Sequence, residues 1–203
     1  MNENIEQSFL EGRKIAVLMG GWSSERDISL ISGKAVGDAL KEMGFDPLIL
    51  DLQSEEDAEK RIKNINLSAV GGPCLAQGLA NRVHSGVVIA NKDLNTAKSL
   101  SKILKTNYYH ITPSSDINGV EVCAAIKNIF SMVIGAATGL NKLQSKGNFY
   151  LNTSATLVKQ SVYEMEVFAE FLKGKKETVK GLAGLGDLSV SYTHLTLPTN
   201  REV

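Results

Sequence analysis

The apolar residues change their period near Asp116, and this change constrains the fold more than any other feature of the 203-residue chain. Before it, short apolar runs alternate with helical stretches and are punctuated by glycine and proline. After it, the period is helical throughout. Val120 to Leu140 predicts one long apolar helix in which Ala124, Ala125, Gly135, Ala136 and Ala137 permit close helix packing. Thr153 to Lys173 predicts a second, amphipathic helix with Leu157, Val158, Val162, Met165, Phe168, Ala169 and Leu172 on one face. Lys175 to Leu188 reads as a short helix or turn ending in the glycine-rich GLAGLGDL. The expected fold class is an α/β N-terminal region, a βαβ plus further short strands and a helix, followed by a mainly α-helical C-terminal domain.

The N-terminal half supplies the strands. Lys14 to Met19 is a continuous apolar run of the kind buried in parallel sheets, closed by Gly20-Gly21. A helix is expected to start at Ser24, with Asp27 three residues on, and to place Ile28, Ile31, Ala35, Ala39 and Met43 on one face. Gly44 ends it, and Pro47 to Asp51 resumes as a strand. Ser54 to Asn64 turns polar, as a short exposed helix capped by Ser54 or as a linker. Short strands are expected at Leu67–Val70, Gly86–Ala90 and Tyr108–Ile111, with a helix over Asp93–Lys105.

Composition excludes several classes of function. The chain has 22 basic and 22 acidic residues, so no field draws it to nucleic acid or anionic membrane. The N-terminus lacks a basic segment followed by an apolar run, and the apolar stretches, such as Ile129 to Leu140, read as too short to span a bilayer. A soluble cytoplasmic protein is expected. Cys74 and Cys123 are far apart and lack partners at metal-ligand spacing, so both read as reduced thiols and no metal is expected. His84, His110 and His194 read as isolated surface or strand residues.

Three segments carry a resemblance. They are Gly72-Pro73-Cys74-Leu75-Ala76, Gly119-Val120-Glu121 running to Ala125-Ile126-Lys127-Asn128, and Gly181 to Leu188. In order and spacing they are similar to the Gly-Pro-x-x-Ala turn, the G-V-E-x-x-x-A-x-K-N helix start and the Gly-rich Asp turn of NAD(P)-dependent glycerol-3-phosphate dehydrogenases. The likeness covers about residues 67–191. It implies hydride transfer between NAD(P)H and dihydroxyacetone phosphate, a small-molecule substrate pair completed by glycerol 3-phosphate, and a possible homodimer. It further implies Lys127 as the catalytic lysine on the substrate oxygen and Asp187 as its carboxylate partner. Asn128 and Ser191 are implied as substrate-binding residues, Ser191 standing where the family commonly has threonine.

Two departures from that family stand out. No G-x-G-x-x-G opens the first helix, so the dinucleotide (NAD or NADP) lacks its usual phosphate cradle and the cofactor-binding residues are unknown. The Ser/Gly-Arg-Asn segment that follows the Asp turn in the family is replaced by YTHLTLPTNREV, and Arg201 lies at the wrong distance to take its arginine's role. The dehydrogenase is therefore expected to be incomplete, with a truncated helical domain.

Residues 13–51 resemble a second family. Lys14 to Val36 is similar to the V-L-x-G-G-x-S-x-E-R-x-V-S-L-x-S-G run of D-alanine–D-alanine ligases. The resemblance implies Glu25 as a contact to D-alanine with Ser29 in support. An acid in a first helical turn is also what the helix dipole favours without a ligand. The organisation expected is a ligase-like segment at 1–53, a seam at 54–66, the end of a nucleotide-binding domain at 67–115, a partial substrate domain at 116–191, and a tail at 192–203 foreign to the fold. The alternatives to an oxidoreductase are a ligase fragment and a non-functional chimera of two gene fragments.

Overall fold

A computed structural model describes residues 14–24, 26–62, 66–143 and 151–194. They fall into two units divided between Asn66 and Leu67, at the end of the polar stretch.

In the first unit, β1 (Ala16–Gly20), α1 (Arg26–Glu42) and β2 (Leu48–Leu52) form the expected βαβ. The two strands are parallel, from Ala16 opposite Leu48 to Gly20 opposite Leu52. The helix packs through glycines, not through the expected face. A Cβ at Gly33 would lie 2.4 Å from Met19, and one at Gly37 2.7 Å from Ile49. Ile28 and Ile31 point outward, 66% and 72% exposed. The apolar period marked the bulky stripe, but close approach selected the stripe with no side chains. Nor is β1 buried on both faces as expected: Val17 is buried and Leu18 exposed, because one helix covers only one side of a two-stranded sheet.

Arg26 ties this unit together. Its Nη1 donates to the carbonyls of Gly21 (3.0 Å) and Leu52 (2.9 Å), and its Nη2 to Asp51 Oδ2 (2.8 Å). Gly20, at φ +85°, passes close beneath this cluster. The polar stretch forms α2 (Glu55–Arg61), capped by Ser54, whose hydroxyl accepts from Asp57 N at 3.2 Å.

The second unit begins with β3 (Ser68–Gly71), α3 (Ala76–Ala80), β4 (Ser85–Asn91), α4 (Leu94–Leu104) and β5 (Tyr109–Ser114). Its sheet order is β3-β4-β5, with β4 and β5 parallel across α4 and β3 antiparallel to β4. Asp93 caps α4 by accepting from Asn95 N and Thr96 N at 3.0 and 3.1 Å. Pro113 sits in β5, an edge strand, where a missing N–H is tolerated. The short α3 had no periodicity to announce it. The register also corrects the reading of isolated histidines: Gly86 lies opposite His110, which brings His84 beside it. His84 Nδ1 is 2.9 Å from His110 Nε2, with stacked rings on the exposed surface.

Four helices follow, α5 (Ile117–Leu143), α6 (Leu151–Phe171), α7 (Lys176–Lys180) and α8 (Asp187–His194), with a π-helical turn at Leu182–Gly186 between the last two. The main core joins Val122, Cys123, Phe130 and Ile134 of α5 to Met165 and Ala169 of α6, Val179 of α7 and Leu188 of α8. A second cluster of Ala90, Ile117, Val120 and Ala183 welds the sheet to the helices. The packed face of α6 is narrower than expected: Met165 and Ala169 are buried, while Phe168 and Leu172 are exposed.

Tyr192 and its neighbours continue α8 to His194, and Tyr192 packs on the main core; residues 195–203 of the expected tail lie outside those described. In addition, Ile117–Leu140 is long and apolar enough to cross a membrane by length and composition. Reading only from Ile129 underestimated it. Its buried Val122, Cys123, Phe130 and Ile134 make it the central core helix of this unit.

Candidate active site

Lys127 lies on α5 and Asp187 on the first turn of α8, sixty positions apart in sequence, and their side chains meet. Lys127 Nζ is 2.5 Å from Asp187 Oδ2. Asp187 is buried, whereas the Lys127 side chain is 24% exposed, so the pair is anchored on the carboxylate side and open on the ammonium side. A short charge-assisted contact to a buried partner fixes the direction of the ammonium group more than it adds stability.

The backbone that presents Asp187 is held by glycine. In the π-helical turn, Gly186 N donates to Gly181 O at 3.1 Å. Gly184 sits so close to α7 that a Cβ would come 2.1 Å from Val179 O. A π turn widens the helix by one residue and re-aims the chain beyond it. The opposite wall comes from the turn after β3. Gly72 has φ +142°, and a Cβ there would be 2.9 Å from Val87 Cα, so the chain turns tightly into Pro73 and Cys74.

These elements enclose a cavity of about 250 Å³ lined by Gly72, Cys74, Leu75, Lys127, Asn128, Asp187, Val190 and Ser191. Four of the six site residues singled out in the sequence therefore share one cavity. Asn128 stands exposed at its rim, and Ser191 is partly buried, its hydroxyl donating to Asp187 O at 2.8 Å. Of the other two, Glu25 lies outside the described residues and Ser29 is half-buried on α1. Cys74 is half-buried in the cavity wall, and Cys123 is fully buried nearby in α5. Burial, with the carboxylates of Asp116 and Asp187 adding to it, pushes the Cys123 thiol up to about 11, so it stays a neutral core group. Among the described residues no group of three or more metal-ligating side chains gathers.

Sequence reasoning missed Asp116. It is 6% exposed and accepts three hydrogen bonds, from Gly119 N (3.0 Å), Lys175 N (2.9 Å) and Thr178 Oγ1 (2.5 Å). The available signal was an Asp three residues before a glycine at a helix start, an N-cap pattern.

The turn after β1 does not fit a dinucleotide pyrophosphate. Gly21 N is already spent on Leu52 O at 2.8 Å, and the Asp51 carboxylate lies close over Gly20. A free amide and an open approach are what a bound phosphate needs there.

Residues 116–198 match the family model of the NAD-dependent glycerol-3-phosphate dehydrogenase C-terminus. The chain is 34% identical over 135 residues to the chloroplastic glycerol-3-phosphate dehydrogenase [NAD(+)] 2 of Arabidopsis thaliana, covering 66% of this chain and 30% of that protein. It is 32% identical over 165 residues to a glycerol-3-phosphate dehydrogenase [NAD(P)+] of Solidesulfovibrio magneticus, covering 81% of this chain and 47% of that one. The chain thus spans less than half the length of these relatives, which are NAD(P)-dependent oxidoreductases. An alignment of 165 residues is too long to fit between Leu67 and Val203, so it reaches into the first unit. Among solved structures, a glycerol-3-phosphate dehydrogenase from Coxiella burnetii shares the fold at a TM-score of 0.58 and 24% identity, covering 95% of this chain and 57% of that one. These matches lend the ligase resemblance of residues 13–51 no support.

Proposed function

We propose that residues 67–191 carry the substrate-side half of a glycerol-3-phosphate dehydrogenase site, in which Lys127 serves the oxygen of dihydroxyacetone phosphate. The observation that carries this reading is the Lys127–Asp187 contact at the wall of a cavity also lined by Asn128 and Ser191. Reducing a ketone to an alcohol adds a hydride at carbon and a proton at oxygen. Lys127, aimed by Asp187, stabilises the developing alkoxide and donates that proton. Asn128, at the rim, offers a donor and an acceptor to the substrate, and Ser191 a hydroxyl. In the relatives the hydride belongs to NAD(P)H; the described residues supply neither a cradle for its phosphates nor an arginine to the cavity wall.

The expected behaviour is weak substrate binding with little or no turnover. Titration of the full chain with glycerol 3-phosphate, followed by calorimetry, should give a weak isotherm that Lys127→Met abolishes. Binding unchanged by that substitution would sink the assignment. With dihydroxyacetone phosphate and NADH or NADPH, absorbance at the nicotinamide band should barely fall, and robust turnover would overturn the incompleteness of the site. A ligase fragment remains the alternative for residues 13–51, supported by their motif alone. Phosphate release from ATP in the presence of D-alanine is its test, and none is expected. A chimera of two gene fragments is tested by amplifying the source DNA across the codons for Asp51 to Leu67, where an intact junction removes it.

A further inference from the structure

Lys127 and Asp187 reach each other from two separate segments, so something must set the distance between those segments. Lys127 lies about three turns along α5 from its start. Asp187 follows α7 and the π-helical turn. The two segments meet again at their other ends, at Asp116.

The Asp116 carboxylate caps α5 by accepting from Gly119 N, and reaches across to accept from Lys175 N and Thr178 Oγ1 at the start of α7. Lys175 is the N-cap residue of α7 and has no side-chain cap of its own. One buried carboxylate therefore serves both helix starts. The approach is close because glycines line it: a Cβ on Gly174 would lie 2.7 Å from Gly119 Cα, and one on Gly119 would strike Asp116 itself. From α7 onward the path to Asp187 is stiff, since Gly184 is seated on the Val179 backbone and Val179 is fully buried.

We infer that Asp116 is a positioning residue for the Lys127–Asp187 pair, acting by clamping the start of α7 to the start of α5. This rests on the reading of that pair as the working site. α5 and the α7–π–α8 segment then form a closed frame with two links, Asp116 to Lys175 and Thr178 at one end, and Lys127 to Asp187 at the other. Opening the first link lets the second drift.

The test reads Lys127 directly and needs no turnover. The full chain is acylated with limiting acetic anhydride, and the rate at each lysine is followed by peptide mass spectrometry. An amine held against a buried carboxylate is shielded, so losing the pair should raise its rate roughly three- to fivefold, the worth of one partly buried ion pair. Asp187→Asn sets the scale for Lys127. Asp116→Ala should approach that scale, with Lys102 and Lys159 unchanged as references. Where Asp116→Ala fails to fold, Thr178→Val removes one cross-link and leaves the α5 cap; it should raise the Lys127 rate by a smaller but measurable factor. An unchanged Lys127 rate in a folded Asp116→Ala or Thr178→Val chain overturns the inference and leaves Asp116 as a local cap. An unchanged rate in Asp187→Asn removes the pair and the inference with it. A chain that fails to bind glycerol 3-phosphate through Lys127 but shows the labelling pattern keeps the inference and fails only the proposed function. Where turnover is measurable, Asp116→Ala should lower kcat while leaving KM nearly unchanged.

Discussion

The two units use the same vocabulary of strand, glycine turn and helix, yet one has a core and the other hardly does. In residues 14–62 the buried side chains are few, and Leu18, Ile28, Ile31, Val36, Met43 and Leu48 are exposed. In residues 67–194, four helices and a sheet bury Ile134, Met165, Val179, Leu188, Val87 and Val120 almost completely. A two-stranded sheet under one helix has one dry face; a sheet welded to a helical cluster has several. Polar anchoring therefore weighs more in the first unit and side-chain packing more in the second. The candidate site lies wholly in the second, where packing can hold a carboxylate and an ammonium in place.

The comparison can be broken most severely from within the larger core. Met165→Ala should destabilise the second unit by about 3 kcal/mol, the usual cost of a large-to-small change at a fully buried site. Denaturant melts followed at Tyr192 and at Trp22 should show loss in the former signal; equal loss in both would mean that the units melt as one. The next largest effect is expected from Arg26→Ala in the first unit, at about 1–2 kcal/mol. That substitution removes a donor from the Gly21 and Leu52 carbonyls, of which Leu52 keeps Gly21 N, and leaves Asp51 without its ion pair, an effect moderated by partial exposure. Hydrogen exchange in β1 and β2 should quicken while α5 and α6 stay protected.

Alkaline pH should separate the units further. A free thiol titrates near 9.0 in the unfolded chain, while Cys123 in the fold is raised to about 11. The folded state favours the neutral thiol, so this contribution is complete below pH 9 and is lost as pH rises from there towards 11. The second unit should weaken over that window, and Cys123→Ser should flatten the slope. Thiol labelling at pH 8 should mark Cys74 well before Cys123. The smallest effect is expected at Ser131, a buried hydroxyl with no hydrogen-bond partner among the described residues. Ser131→Ala should be neutral or stabilise by up to about 1 kcal/mol, read as a small rise in the second transition. A clear loss would reveal a partner for that hydroxyl.

Much of this was legible before any coordinates. The strands at 16–20, 48–52 and 85–91 and the long helices followed from apolar periods, and the Ser54 and Gly44 boundaries from capping chemistry. Lys127, Asn128, Asp187 and Ser191 were found only through the resemblance of their segments; as single residues they carry no distinguishing pattern. Other features resisted reading because they are not local. The packed face of α1 is its glycine stripe, which leaves no hydrophobic trace. α3 is too short for a period. The pairing of His84 with His110 depends on strand register, which neither residue encodes alone.

Sequence by itself determined most of the elements and which lysine and carboxylate to watch, because period, caps and motifs are local and written in residue order. Tertiary structure decided that Lys127 and Asp187 touch, that the cavity takes its far wall from the Gly72–Pro73 turn, and that Asp116 closes the frame behind them. Those contacts join residues about sixty positions apart. Their distances are set by glycine-to-backbone approaches and one π-helical turn, features that act through the absence of side chains and so leave little mark on any hydrophobic pattern.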